Sequence, residues 1–243
     1  MRKITLWLLA IALWETLSKV SPWIPSAVGI SKLVWKDLHS ENFIFALAGS
    51  LRRMAIGYAL VFILGIGTGL LLGRFRVLDD LLGTLAVAIH SMPGAAWVPL
   101  SILIFGFTEA AVIFSIVLGA TGIVMVHTSS GIKDVPPLIL RAARTMGARG
   151  TAMFWHVIVP AAIPRIVDGL RLAWAFGWRA LMAGELLISS IHGMGRLLSE
   201  VAKKQQILEL LALMVIIAAI GMAVDGLIFR RMENTVRLRW GTA

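Results

Sequence analysis

"SLRRMAIGYALVFILGIGTGLLLG", residues 50–73, is the stretch on which the fold turns. From Met54 to Gly73 it carries no charge. A run of about 20 apolar residues is what one helix needs to cross the hydrocarbon core of a bilayer. Gly65, Gly69 and Gly73 recur every four residues, so they place three side-chain-free patches on one helix stripe against which a second helix can close. With Gly67 they mimic a dinucleotide fingerprint, but they lie inside an apolar helix and the spacing is wrong.

The whole chain agrees with that segment. Of 243 residues 58% are hydrophobic and only 15% charged, and the mean hydropathy is +0.87. A soluble domain of this size needs more polar cover, whereas a helical bundle in lipid needs it only at its two ends. The formal charge of +10 sits in short clusters between apolar runs, which is a pattern of membrane topology rather than of nucleic-acid binding. There is no cysteine, which excludes disulfides, thiolate metal sites and cysteine nucleophiles.

Working outward, the pattern predicts an all-α, polytopic helical bundle with about six spans, near 4–20, 50–73, 80–105, 109–127, 166–190 and 207–229. Residues 1–48 are expected to hold the first span plus an amphipathic external segment, and 49–240 the transmembrane core. The N-terminal run begins like a signal peptide but has no small-x-small cleavage site, and Glu15 with Trp7 and Trp14 fits a retained span better. Leu33, Val34, Leu38, Phe43 and Leu47 predict a surface helix between the first two spans. With the N-terminus inside, thirteen basic residues fall on the cytoplasmic side and six on the other, so both termini are expected in the cytoplasm.

The third segment is broken by Pro93 and Pro99. Irregular backbone at membrane depth is tolerated where protein buries it or where it lines a cavity. Either this is an ordinary proline kink, or His90, Ser91 and Met92 border a solute path. The fifth segment carries Asp168, Arg171, Arg179 and Glu185, an expensive set that calls for partners or tasks. Asp168 and Arg171 are spaced to pair along one face. Arg179 and Glu185, six residues apart, cannot easily satisfy each other. Trp178, Met182 and Glu185 share a stripe. Two readings stand: Arg179, Glu185, Ser189 and Ser190 contribute to a pathway or its gate, or the charges form interhelical ion pairs with Arg52, Arg53 or Glu109. His127 beside "TSSG" and the Asp79-Asp80 pair lack the surroundings of a hydrolase elbow or a magnesium site, and His127 is expected at the end of the fourth span.

Between the fourth and fifth segments, residues 134–165 are too polar to span. Pro136 and Pro137 can open a helix, and Gly147 and Gly150 can end it. Thr151 is expected to cap a second short helix that Pro160 interrupts or terminates. Either this hairpin folds back against its own bundle or, as the unusual length of the loop in a compact membrane domain favours, it docks something.

Ala142-Ala143, three residues, Gly147, nine residues, then Val157-Ile158-Val159-Pro160 resembles the cytoplasmic signature loop of permease subunits in binding-protein-dependent ABC importers. "WVPLSILIFGFTEAAVIFSI", "IPRIVDGLRLAWAFGWRALMAGELL" and "GMGRLL" are similar to permeases of the nitrate, sulfonate and taurine group. The resemblance implies a homodimeric type I importer permease in a bacterial or archaeal cell membrane, served by two cytoplasmic ATPase subunits and an external substrate-binding protein. ATP and magnesium then belong to the ATPase, which fits the absence of a phosphate-binding Gly-x-x-x-x-Gly-Lys-[Ser/Thr] loop here. It also implies that Arg141, Ala142, Ala143, Met146, Gly147, Phe154 and Pro160 form the ATPase-coupling loop. The family's leading glutamate is Arg141 in this chain, which reverses the charge at a docking position. Rival readings are the coupling subunit of a vitamin importer, to which "ARG" at 148–150 is faintly similar, a membrane-embedded enzyme, or a channel.

Overall fold

A computed structural model describes residues 13–19, 25–188 and 190–240, without the side chains of 239 and 240. The expected first span, 4–20, lies largely outside the described residues, as does Ser189.

Helix α1 (Ala27–Leu38) is capped by Ser26, whose hydroxyl accepts from the Gly29 amide. Helix α2 (Glu41–Arg74) begins earlier than its apolar run because Ser40 caps it at the Phe43 amide. The expected external surface helix is therefore two elements: α1, and the first turns of α2, where Phe43 is buried against Met194, Leu213 and Ile216.

Helix α3 (Arg76–Ser91) and helix α4 (Val98–Phe105) are joined by a tight turn, Gly94–Trp97, and meet at a bend of 102°. Pro99 lies in the first turn of α4, where its missing donor costs nothing. Helix α5 (Glu109–Lys133) is followed by α6 (Pro137–Thr145), α7 (Gly150–Leu187), α8 (Met194–Lys203) and α9 (Ile207–Leu238).

Helix α5 is the centre of the bundle, packed between α2 and α7. The glycine stripe of α2 makes one of these contacts. A Cβ at Gly65 would stand 2.6 Å from Val124 Cβ, one at Gly69 2.5 Å from Thr128 Cβ, and one at Gly73 2.7 Å from the Ile132 side chain. The steps match residue for residue, so α2 and α5 run parallel. Helix α7 runs the other way, with Gly131 at Arg165, Gly169 at His127 and Gly184 at Val112.

Two parallel neighbours require the chain between them to return across the bilayer. Only α3 and α4 are available, so the bent pair is a broken span. Asp79 pairs with Lys133 at one end, His90 lies at Gly122 and Gly94 at Gly119 in the middle, and Phe105 meets Phe114 near the other end. Among the described residues four helices are long and apolar enough to cross, and the broken pair makes five.

Two boundaries differ from expectation. The fourth span continues past His127 to Lys133, so His127 is not at its end but beside Gly169. The fifth starts at Gly150 rather than near 166, and Pro160 does not terminate the second helix of the loop. The backbone widens into a π-turn over Phe154–Ile158, in which the Val159 amide reaches back five residues to the Phe154 carbonyl. Such a turn re-spaces the carbonyls just before the proline, and the helix passes through it.

Candidate functional site

Three groups of the singled-out residues sit at three levels of the bundle. At the end that also carries Arg74, Lys133, Arg165 and Arg230, α6 projects as a nine-residue helix. Its C-terminus closes with a Schellman pair: the Gly147 amide donates to the Arg144 carbonyl and the Ala148 amide to that of Ala143, at 3.0 and 2.9 Å. Gly147 makes the corner possible with φ of +89°. Arg141, Ala142 and Met146 are exposed, and Ala143 is buried beneath them. Leu138 and Met146 leave 77% and 87% of their surface open, apolar side chains that none of the described residues covers. Thr151 does not cap the next helix; Arg149 occupies that position and the cap has no side-chain hydrogen bond. Phe154 is buried, and the Arg74 guanidinium sits 4.7 Å above its ring, tying the loop to the end of α2.

Lower in α7, the expected Asp168–Arg171 pair does not form. Arg171 instead gives a two-pronged contact to Asp225, at 2.7 and 2.8 Å, and a third bond to Glu233 at 2.6 Å. A forked guanidinium gains more from a carboxylate facing it on α9 than from one three residues back on its own helix. Asp168 borders a cavity with Glu233 and Arg237.

At the opposite end Glu185 is fully buried and accepts from four donor atoms on three residues. It accepts from Ser50 Oγ at 2.7 and 2.8 Å, from Arg53 Nε at 2.9 Å and Nη2 at 2.7 Å, and from the Gly195 amide at 3.0 Å. Arg53, 1% exposed, also reaches Glu109 at 2.9 Å and the His192 carbonyl, and Arg52 bonds Glu109 from the surface. The Met194 amide donates to Ser50. The Glu185 carboxylate thus fastens α7 to α2 and to the first turn of α8, and Arg53 extends the network to α5 through Glu109. Of the two readings for Glu185, the interhelical ion pair is what the structure holds. A cavity of about 400 Å³ opens above it, lined by Arg52, Glu109, Ser190 and His192.

The stripe companions of Glu185 also point inward. Trp178 is buried, stacked on Trp174 with centroids 5.9 Å apart. Met182 is half-buried between the two apolar clusters. Arg179 faces elsewhere. It is exposed, its guanidinium lies 5.2 Å over the Phe176 ring, and among the described residues no carboxylate pairs with it. His90 packs edge-on against the same ring at 5.9 Å, and Met92 is exposed at the break between α3 and α4. The structure therefore separates these residues: Trp178, Met182 and Glu185 lie inside the bundle, Met92 and Arg179 are exposed, and His90 is half-buried between the two. Phe176, which joins His90 to Arg179, is not flagged by charge or motif. Its position three residues before Arg179 was the available signal.

Comparison with known proteins bears on this arrangement. Residues 62–237 match the family described as binding-protein-dependent transport system inner membrane component. A putative ABC transporter permease of Methanocaldococcus jannaschii is 32% identical over 92% of this chain and 86% of its own length. The putative aliphatic sulfonates transport permease of Bacillus subtilis is 31% identical over 95% and 84%. The bicarbonate transport system permease of Synechocystis is 30% identical over 72% of this chain, and the match spans 63% of that protein. The fold is shared with the inward-facing MetNI methionine ABC transporter, with a TM-score of 0.68 at 16% identity, covering 81% of this chain and 99% of the other. A bundle with a short amphipathic helix projecting at its basic end, matched over most of its length by such sequences, belongs to the binding-protein-dependent inner-membrane components, the permease subunits of ABC transporters.

Proposed function

We propose that this permease imports a small anion, works as a pair of copies, and is driven through α6 by a cytoplasmic ATPase that binds the ATP and magnesium. An external substrate-binding protein delivers the solute. Relatives named for sulfonate and bicarbonate transport support the anionic cargo. The observation that carries the reading is α6 itself: a closed, exposed amphipathic helix joined by a glycine corner to a helix that runs through the membrane without a break. Its Leu138 and Met146 fit an apolar cleft on the ATPase, and Arg141 and Arg144 fit an acidic or neutral rim there. On this reading the basic end is cytoplasmic and both termini lie on that side.

Copurification of an ATPase through residues 134–165, with ATP hydrolysis stimulated by the binding protein, is the direct test. Two variants locate the coupling. Arg141→Glu is expected to leave the permease folded and to lower stimulated hydrolysis several-fold; an unchanged or higher rate would remove Arg141 from the contact. In Gly147→Val no neighbour lies within 4 Å of the new Cβ, so the penalty is conformational, about 1–2 kcal/mol for the left-handed backbone. The melting temperature of this variant should fall only slightly, while stimulated hydrolysis is largely lost as α6 turns away from α7.

A further inference from the structure

The open face of α7 is a stripe of Leu172, Ala175, Phe176, Arg179, Ala183 and Leu186, spaced by threes and fours. Its depth follows from its neighbours. Ala180, the residue after Arg179, packs on Gly94 and Gly119, and Gly119 lies ten residues into α5 from Glu109. At 1.5 Å per residue that is about 15 Å, half the thickness of the hydrocarbon core. Arg179 therefore presents a permanent charge near the middle of the bilayer with no carboxylate among the described residues to meet it. Such a residue does not face lipid; it faces protein or water.

We propose that this face borders a water-filled path and that Arg179, Phe176 and His90 form a binding site for a small oxyanion. The inference rests on the importer reading and names the chemistry its path recognises. A guanidinium offers a planar fork that matches two oxygens of a sulfonate, nitrate or bicarbonate. Phe176 fixes the plane of that fork by lying beneath it, leaving the donors free for a ligand. His90 stands across the same ring, and its Nδ1 is buried without a hydrogen-bond partner. The site lies beside the break between α3 and α4, where irregular backbone at membrane depth is expected to line a cavity. Selection among solutes is then made in the permease as well as in the delivering protein.

The absence of cysteine makes the test direct. Ala175→Cys and Ala183→Cys each place a single thiol one turn from Arg179, which is retained. In the intact complex in proteoliposomes, labelling rates are measured with an anionic, sulfonate-bearing methanethiosulfonate and with a cationic, trimethylammonium-bearing one. Each rate is normalised to that of a free thiol in solution. Both thiols should prefer the anionic reagent by roughly tenfold, as a fixed positive charge in a low-dielectric cleft dictates. Adding Arg179→Gln should bring the ratio to parity, and millimolar ethanesulfonate, nitrate or bicarbonate should slow labelling only where Arg179 is present. Failure of both thiols to label, or equal preference with and without Arg179, overturns the site. ATPase binding and stimulated hydrolysis are measured on the same samples. A complex that couples without charge preference loses the site alone, and a preference in a chain that binds no ATPase loses the importer reading alone.

Discussion

Glu185→Ala is expected to lose most of the folded protein. The substitution removes the acceptor shared by Ser50, Arg53 and the Gly195 amide, all of them buried. Arg53 keeps Glu109 and the His192 carbonyl but loses the partner of its Nε and one of the two acceptors of its Nη2. Removing one member of a buried ion pair costs about 3–5 kcal/mol, because the remaining charge stays desolvated. Here the amide and hydroxyl left unpaired add to it. Thermal unfolding in detergent and the monodisperse fraction on size exclusion report the loss, and a Glu185→Ala protein with an unchanged melting temperature would refute it. The partner experiment separates charge from packing. Arg53→Met with Glu185→Leu should be markedly more stable than Glu185→Leu alone, since the pair is then replaced by apolar groups of similar volume.

Gly69→Val should be the most damaging of the substitutions along the α2 stripe. Its new Cβ would stand 2.5 Å from Thr128 Cβ and 2.9 Å from the Met125 carbonyl oxygen. Neither atom can rotate away, so the helices themselves must part. Overpacking of this kind costs typically about 1–3 kcal/mol, and the fixed backbone contact places Gly69 at the upper end. Gly67→Val is the control: nothing lies within 4 Å of that position, and it should unfold at the parent temperature. Equal melting temperatures for the two variants would show that α2 and α5 do not meet as described.

Those glycines also show what was legible in the sequence. A repeat of four in an apolar helix has one physical use, and Gly65, Gly69 and Gly73 serve it against α5. The five spans among the described residues were equally readable, because hydrocarbon imposes a length and a composition on each. Partners were less so. The sequence placed Arg171 opposite Asp168 because only intrahelical neighbours can be counted along a chain, whereas Asp225 and Glu233 come from a helix more than fifty residues away. Glu185 offered both readings for the same reason: its surroundings are made by Ser50, Arg53 and Gly195, none of them near it on α7. Pro160 misled in a different way. A proline predicts a helix end unless the turn before it widens, and nothing in "FWHVI" announces a π-turn. Arg179 remained legible as a charge needing a task because no carboxylate among the described residues answers it.

The uninterrupted course of α7 has a mechanical meaning. Its 38 residues amount to about 57 Å of helix, nearly twice the hydrocarbon thickness, so one stiff beam reaches from the α6 corner to the Glu185 fastening. It rests along α5 on a long saddle of close contacts, from Arg165 at Gly131 and Gly169 at His127 to Gly177, Ala180 and Gly184 at Ile116, Gly119 and Val112. The widened turn at Phe154–Ile158 lies well outside that saddle, toward the basic end. A helix seated over that length and pinned at Glu185 carries a push at Gly150 into α5 and α2 together, because the contacts leave it no free stretch beyond Arg165 in which to absorb it.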